Sequence, residues 1–319
     1  MITPRMFTSN SFFLVRFSDI QELQILHFVL FLVIYLVALT GNLFIIATFT
    51  ISQHLHTPMY FFLMNLSIMD LGFISVTIPK AIVNSLRSTR LITYYGCAAQ
   101  VFFLLFFMAS DFFLLTIMAY DRYVAICDPL HYEMVMNRGA CIQMAASAWI
   151  SGFFYAALHT GSTFAITFCS RNVNQFFCEI PQLLKLSCSN TYLIEVAALA
   201  FSACLGSGCF GFIVVSYVQI FRAVLRIPSK QGRQKSFSTC LPHLFVVSLF
   251  LCKGIFANLK PPSSSISSLD HVVAVFYCVV PPVLNPVIYS MRNKEIKAVL
   301  LKLTVWRFST KNKMSVFHL

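Results

Sequence analysis

An all-α membrane protein, a seven-helix transmembrane bundle with its N-terminus outside, is what this sequence predicts. Three observations carry the prediction. Hydrophobic residues make up 58% of the 319 positions and charged residues 11%, against roughly 25% charged in ordinary globular chains. With 34 Phe and a mean hydropathy of +0.77, a soluble fold could not hide its apolar surface, and a disordered chain is excluded. Seven stretches are long enough to cross about 30 Å of hydrocarbon, which takes roughly 20 apolar residues. Finally, Lys and Arg fall unevenly between the two sides of such a bundle.

The elements follow in order. An extracellular segment, residues 1–24, precedes a seven-span membrane unit at 25–291. Ile25–Phe49 is an uncharged first span, and Thr57–Ile78 a second holding one charge, Asp70. Cys97–Tyr120 is the third, again with one charge, Asp111. Nothing between Arg138 and Arg171 is charged, which places a fourth span near Ala140–Leu158. Val196–Phe221, Ser236–Leu259 (interrupted by Lys253) and His271–Met291 complete the seven. No run of short alternating segments suggests a barrel. The tail, 292–319, opens with basic, amphipathic Asn293–Leu303, which suits a helix lying on the inner leaflet. No small-residue cleavage site follows an apolar core near the N-terminus, so no cleavable signal peptide is expected.

Orientation follows the basic residues. One side carries eight, Arg5 to Lys260; the other carries fourteen, from Arg122 to Lys313. The richer side is cytoplasmic. The net charge of +12 therefore reads as topology and calls for no nucleic acid. Cys97, Cys169, Cys178 and Cys188 fall at or beyond the outer face, where two disulfides with three possible pairings are expected. The other seven cysteines read as small apolar filler.

Residues at the end of span three carry a family resemblance. Met118-Ala-Tyr-Asp-Arg-Tyr-Val-Ala-Ile-Cys127 resembles the Asp-Arg-Tyr signature of rhodopsin-like G-protein-coupled receptors, in the longer form of olfactory receptors. Leu55–Asp70, Ser216-Tyr217, Lys235-Ser-Phe-Ser-Thr-Cys-Leu-Pro-His243 and Pro281-Pro-Val-Leu-Asn-Pro-Val-Ile-Tyr289 match in order and on the right sides. The Leu-Pro-His ending and the double proline are most similar to the fourteenth olfactory receptor family. The resemblance spans about Phe17 to Lys297. It implies an odorant receptor of the plasma membrane that couples to a stimulatory olfactory-type G protein and raises cyclic AMP. It also implies the pairings Cys97–Cys178 and Cys169–Cys188, although the sequence by itself also allows Cys97–Cys188.

The resemblance assigns an activation switch. Arg122 is held at rest by Asp121, beside Tyr123, and released toward Tyr217 and the G protein on activation. His243 belongs to the same machinery. Asn285-Pro286 breaks the seventh helix, since proline removes a backbone hydrogen bond, and Tyr289 sits a turn below this hinge. Physically, such a switch is a bistable element biased by ligand contacts.

An ionisable group in hydrocarbon is a functional-site candidate by default. Counting from Pro58 and from Arg122, Asp70 and Asp111 both stand about 16–18 Å above the inner face, level with each other and with Asn285. Two such carboxylates either share a proton or hold a cation; the resemblance favours a sodium ion. Most olfactory receptors have Glu where Asp111 stands. Lys253 lies about 10 Å below the outer face. It either snorkels to the interface or faces an acidic or aldehyde ligand.

The ligand pocket is expected above that level. Leu104, Leu105, Met108 and Ala109 share one face of span three. The family's pattern adds Phe201, Ser202 and Leu205 from span five. It also adds Leu251, Gly254, Ile255 and Asn258 from span six, and Val275 and Cys278 from span seven. A lining this apolar, with few polar points, fits a small, neutral, volatile odorant. Gly206-Ser-Gly-Cys-Phe-Gly211 matches a dinucleotide fingerprint by letter only, for no strand precedes it. It reads instead as small residues that let helices pack closely. Asn258 stands where relatives commonly have Tyr. Met1–Gln24 lacks the Asn-x-Ser/Thr acceptor usual in the family.

Two other functions compete. An ion-coupled transporter using Asp70, Asp111 and Lys253 would usually show inverted repeats, and none is visible. A non-olfactory rhodopsin-like receptor for amines would carry Asp in the outer half of span three, where Leu104 and Leu105 stand. An enzyme is not expected, because no metal-ligand cluster or nucleophile motif occurs in a suitable context. The expected partners are thus an odorant, a heterotrimeric G protein and membrane lipid.

Overall fold

The structure is a computed structural model that describes residues 11–14, 21–87, 91–170, 172–173, 177–187, 192–258 and 279–288. Among the described residues, six helices are long and apolar enough to cross a membrane. They are α1 (Gln21–Ile51), α2 (Pro58–Arg87), α3 (Tyr94–Cys127), α5 (Arg138–Phe164), α7 (Tyr192–Leu225) and α8 (Lys230–Asn258). A shorter apolar helix, α9 (Val279–Ile288), stands at the seventh position. Two short helices lie in loops, α4 (Tyr132–Val135) and α6 (Ile180–Leu184). The amphipathic segment expected at Asn293–Leu303 lies outside the described residues, as do Val275, Cys278, Tyr289 and Cys188 and the side chains of Lys253, Gly254, Ile255 and Asn258.

Several helices overrun the apolar stretches that announce them, because hydropathy marks only the part that meets hydrocarbon. Local chemistry sets the true ends. Asn137 caps α5 by accepting from the Ala140 N–H at 2.9 Å, and Thr93 caps α3 by accepting from Gly96 N–H at 3.0 Å. Proline lies inside α2 (Pro79) and α8 (Pro242), each removing one helical donor.

The packing centre is α3, whose buried residues run from Cys97 to Val124. Helix α5 lays a stripe of small residues against it: Cys141, Ala145, Ala148, Gly152 and Ala156, at helical spacing and all buried. A Cβ on Gly152 would meet Ser110 Oγ at 2.1 Å and the Phe106 carbonyl at 3.1 Å, so the two backbones approach closely there. On α7 the inner half packs through Ile213, Ser216, Tyr217, Ile220 and Val224. Among the described residues its outer half is less buried and is tied to α5 through Ser202. A Cβ on Gly206, Gly208 or Gly211 would meet nothing within 4 Å among the described residues beyond its own helix backbone, so the expectation that these glycines serve close helix packing is corrected. Gly206 and Gly208 are two apart, which puts them on nearly opposite sides of a helix with 3.6 residues per turn.

The outer rim adds a feature that the sequence did not announce. Ser11–Leu14 (β1) pairs antiparallel with Leu91–Thr93 (β2) and parallel with Asn172–Val173 (β3). Phe12 and Leu14 are buried from this strand, in one cluster with Ile92, Val101, Val173 and Leu183. The same cluster contains the Cys97–Cys178 disulfide, whose Cα atoms are 5.6 Å apart. That bond excludes Cys97–Cys188. Cys169 is also disulfide-bonded; Cys188 lies outside the described residues.

Candidate functional site

Three levels of the bundle carry chemistry, and they stack along α3. At the inner level, Arg122 and Asp121 are both buried, with 9% and 1% of their surface exposed. The Arg122 guanidinium donates through Nε to Asp121 Oδ2 at 2.8 Å, and a second guanidinium nitrogen reaches the same oxygen. The other carboxylate oxygen is taken by Tyr132, whose hydroxyl donates to Asp121 Oδ1 at 2.8 Å. Tyr132 begins α4, which follows the turn where His131 Nδ1 meets Asp128 Oδ1 at 2.8 Å. Burial and then the Asp121 charge push the Tyr132 phenol well above its usual range, so it stays a donor at any physiological pH. Sequence reasoning missed Tyr132, because a side chain returning from a loop has no periodic signature.

About two turns higher, three helices are tied through one imidazole. His243 on α8 is buried, and its Nε2 lies 2.9 Å from the Leu115 carbonyl of α3. A carbonyl only accepts, so Nε2 carries the proton. In the neutral ring Nδ1 is then an acceptor, and the Tyr217 hydroxyl of α7 donates to it across 2.7 Å. The rings of Tyr217 and His243 also stack, 5.7 Å between centroids. The phenol expected to receive Arg122 on activation is therefore held on His243 in this form. Both residues expected to meet on activation are thus engaged with other partners here, Arg122 with Asp121 and Tyr217 with His243.

At the middle level, Asn285 Nδ2 donates to Asp70 Oδ2 at 2.8 Å. Asp111 lines the same cavity, together with Leu115, Phe250 and Pro282, and its free space is ≈ 20 Å³. That holds about one water-sized sphere. Asn285 Oδ1 is buried and has no hydrogen-bond partner among the described residues. Two carboxylates and an amide oxygen around so small a space are a donor set that suits a hard monovalent cation.

The helix break at Pro286, beside this cavity, has its own support. Pro286 has no N–H, so the Pro282 carbonyl four residues earlier lacks its helical donor. Asn42 Nδ2 of α1 supplies one at 2.9 Å and also reaches the Ala38 carbonyl. Close approach is needed here: a Cβ on Gly41 would meet Pro286 Cβ at 3.0 Å. Asn42 too went unread in the sequence. Its signal was present, since a fully buried Asn in an uncharged span needs a reason to be there.

The outer level is less uniform. Leu104, Leu105 and Met108 are half-buried on α3, with Ala109 buried below them. Leu205 on α7 and Leu251 on α8 are half-buried, and Leu251 packs on the main core. Phe201 is 47% exposed. Ser202 faces α5: its hydroxyl lies 2.7 Å from His159 Nε2, and the Tyr155 hydroxyl donates to it at 3.1 Å.

Comparisons with known proteins agree with this frame. Residues 31–306 match the family model described as olfactory receptor. Human olfactory receptor 14I1 is 54% identical over 93% of this chain and 96% of its own length. Human olfactory receptor 14C36 is 48% identical over 97% and 99%. The crystal structure of squid rhodopsin superposes with a TM-score of 0.72 over 96% of this chain and 85% of that one, at 17% identity, a likeness of fold. These matches decide against the transporter and the non-olfactory receptor. The chain belongs to the olfactory receptor family: it is a multi-pass, G-protein-coupled receptor of the plasma membrane, a signalling protein and not an enzyme.

Proposed function

We propose that this receptor binds a small, neutral, largely apolar volatile between α3, α7, α8 and the seventh span, and that binding activates a stimulatory olfactory-type G protein and raises cyclic AMP. The single observation that supports this reading is the doubly closed switch, Arg122 on Asp121 and Tyr217 on His243. Activation must open both, and α8 links the second contact to the expected pocket, because it carries His243 and, eight residues further out, Leu251.

Magnitudes fit. Moving a two-state equilibrium from 1:99 to 99:1 takes about 5.5 kcal/mol of differential binding. At about 0.8 kcal/mol per buried methylene, roughly seven methylenes suffice if they are buried only in the open form. That is the size of a volatile molecule and gives micromolar rather than picomolar affinity. A sodium ion held by Asp70, Asp111 and Asn285 would supply positive charge between the two carboxylates and favour the closed form.

A cyclic-AMP assay against a broad odorant panel tests the reading. Arg122→Ala should abolish the response with the receptor still at the surface. Because it leaves Asp121 charged and buried, Asp121→Asn/Arg122→Ala serves as the charge-neutral control. An unchanged response in both variants overturns the switch.

A further inference from the structure

A groove in the outer half opens away from the face of α3 that carries Leu104 and Met108, on the outside of α2 and α3. Val76 and Lys80 of α2, Leu91, Ile92 and Thr93 of β2, and Gly96, Ala99, Gln100 and Phe103 of α3 line this groove of ≈ 430 Å³.

Position along the membrane comes first. Lys80 follows Pro58, the first residue of α2, by about 33 Å of helix, roughly one hydrocarbon thickness. Its ammonium is therefore at the outer headgroup layer. Phe103 lies about 13 Å of helix below Tyr94, the start of α3. Tyr95, Ala99 and Phe103 recur every fourth residue and are all exposed, Phe103 by 44%, so this face of α3 looks out of the bundle. The groove thus runs from headgroup level down into the hydrocarbon.

Charge comes second. Lys80 Nζ donates to the Leu91 carbonyl at 3.0 Å, which uses one of the three donors an ammonium carries. None of the described residues lining the groove is acidic. Gln100 is committed elsewhere, its amide nitrogen on the Val76 carbonyl at 3.2 Å and its oxygen on the Cys178 N–H at 3.0 Å. The groove offers one cation at its lip and an apolar floor beneath it.

The geometry points to a phospholipid site: Lys80 holds the phosphate of an outer-leaflet phospholipid, and one acyl chain lies along Val76, Ala99 and Phe103. Occupation would brace α2 against α3 beside β2, the strand that holds β1 over the rim. This stands independently of which odorant the receptor detects.

The test uses the intact receptor in phosphatidylcholine vesicles containing a phosphatidylcholine with a photoactivatable diazirine on its acyl chain. Labelled peptides are mapped after irradiation. Labelling at Ala99–Phe103 should exceed that at exposed Val215 of α7 several-fold. Lys80→Gln should lower it at least threefold with the α7 labelling unchanged, and Lys80→Arg should retain it. Ala99→Trp should remove it by filling the groove while Lys80 is intact. Groove labelling equal to that of α7, or indifferent to Lys80→Gln, overturns the site. Displacement of the label by low micromolar oleate in the parent but not in Lys80→Gln overturns the phospholipid as occupant in favour of a free carboxylate.

Discussion

Helices α5 and α7 approach α3 from two sides, and both carry glycines where they pass it, yet they use them in opposite ways. On α5 the small residues recur at helical spacing, and Gly152 lets the backbone reach Ser110. On α7 the glycines face open space, and only 6% of the helix's most apolar window is buried, against 28% on α5. What α7 buries is concentrated at its inner end, around Tyr217. The lesson is a division of labour. The α3–α5 contact is a frame, close-packed and intolerant of added volume. Helix α7 is anchored at its inner end around Tyr217, while its outer half is held more loosely, tied to α5 through Ser202.

The largest expected effect breaks the comparison directly. Gly152→Val forces a branched side chain into the Ser110 hydroxyl and against the Phe106 carbonyl and Ser110 nitrogen, backbone atoms that cannot give way without moving α3. Overpacking of this kind costs about 1–3 kcal/mol or more, enough to cut surface delivery roughly tenfold. Gly208→Val meets nothing among the described residues and should stay within twofold of the parent. Surface labelling of tagged receptors checks both; equal losses would show that α7 is packed as tightly as α5.

A smaller effect sharpens the inner end. Asp121 accepts from both Arg122 and Tyr132. Asp121→Asn removes the charge that holds Arg122 and should raise ligand-independent cyclic AMP several-fold. Tyr132→Phe removes one hydrogen bond to a charged group, about 1.5 kcal/mol or more, and should raise it less. Since Tyr132 titrates only well above its usual range, its clamp is present at every pH below that, and basal activity should be flat from pH 6 to 9 on its account. A Tyr132→Phe receptor as quiet as the parent would show that Arg122 alone sets the closed form.

The sequence was most legible where depth alone decides. Counting residues from the membrane face placed Asp70, Asp111 and Asn285 at one level, and the three line one cavity. It was silent where rotation about a helix axis or a returning loop decides. Nothing in the spacing of Tyr217 and His243 says that they share a proton, and Tyr132 reaches Asp121 from a four-residue helix. The strand at Ser11–Leu14 is too short for a periodic signal, and its partners lie about 80 and 160 residues away. The glycine motif of α7 misled for the same reason. Residue type was read, but the faces on which those residues fall were not.

The smallest effect concerns the outer half itself. Met108 is half-buried on α3 at the expected ligand level, while Ser202 on α7 is bonded to Tyr155 and His159 of α5. The family's pattern groups the two positions as pocket residues, and the structure gives them different surroundings. Met108→Ala removes three side-chain heavy atoms; at about 0.8 kcal/mol for each methylene-sized group, a ligand that touches half of them loses about 1.2 kcal/mol, some sevenfold in potency. A homologue longer by one or two methylenes should regain part of it by filling the space. Ser202→Ala instead breaks a tie between α5 and α7, and a ligand that never met the hydroxyl should keep its potency within about threefold, since removing one neutral hydrogen-bonding group typically costs about 1 kcal/mol of stability and not of binding. Dose–response curves for a homologous series on both variants read the difference. If Ser202→Ala shifts potency more than Met108→Ala, the hydroxyl turns from α5 to the ligand on binding, and the outer half of α7 is a moving wall.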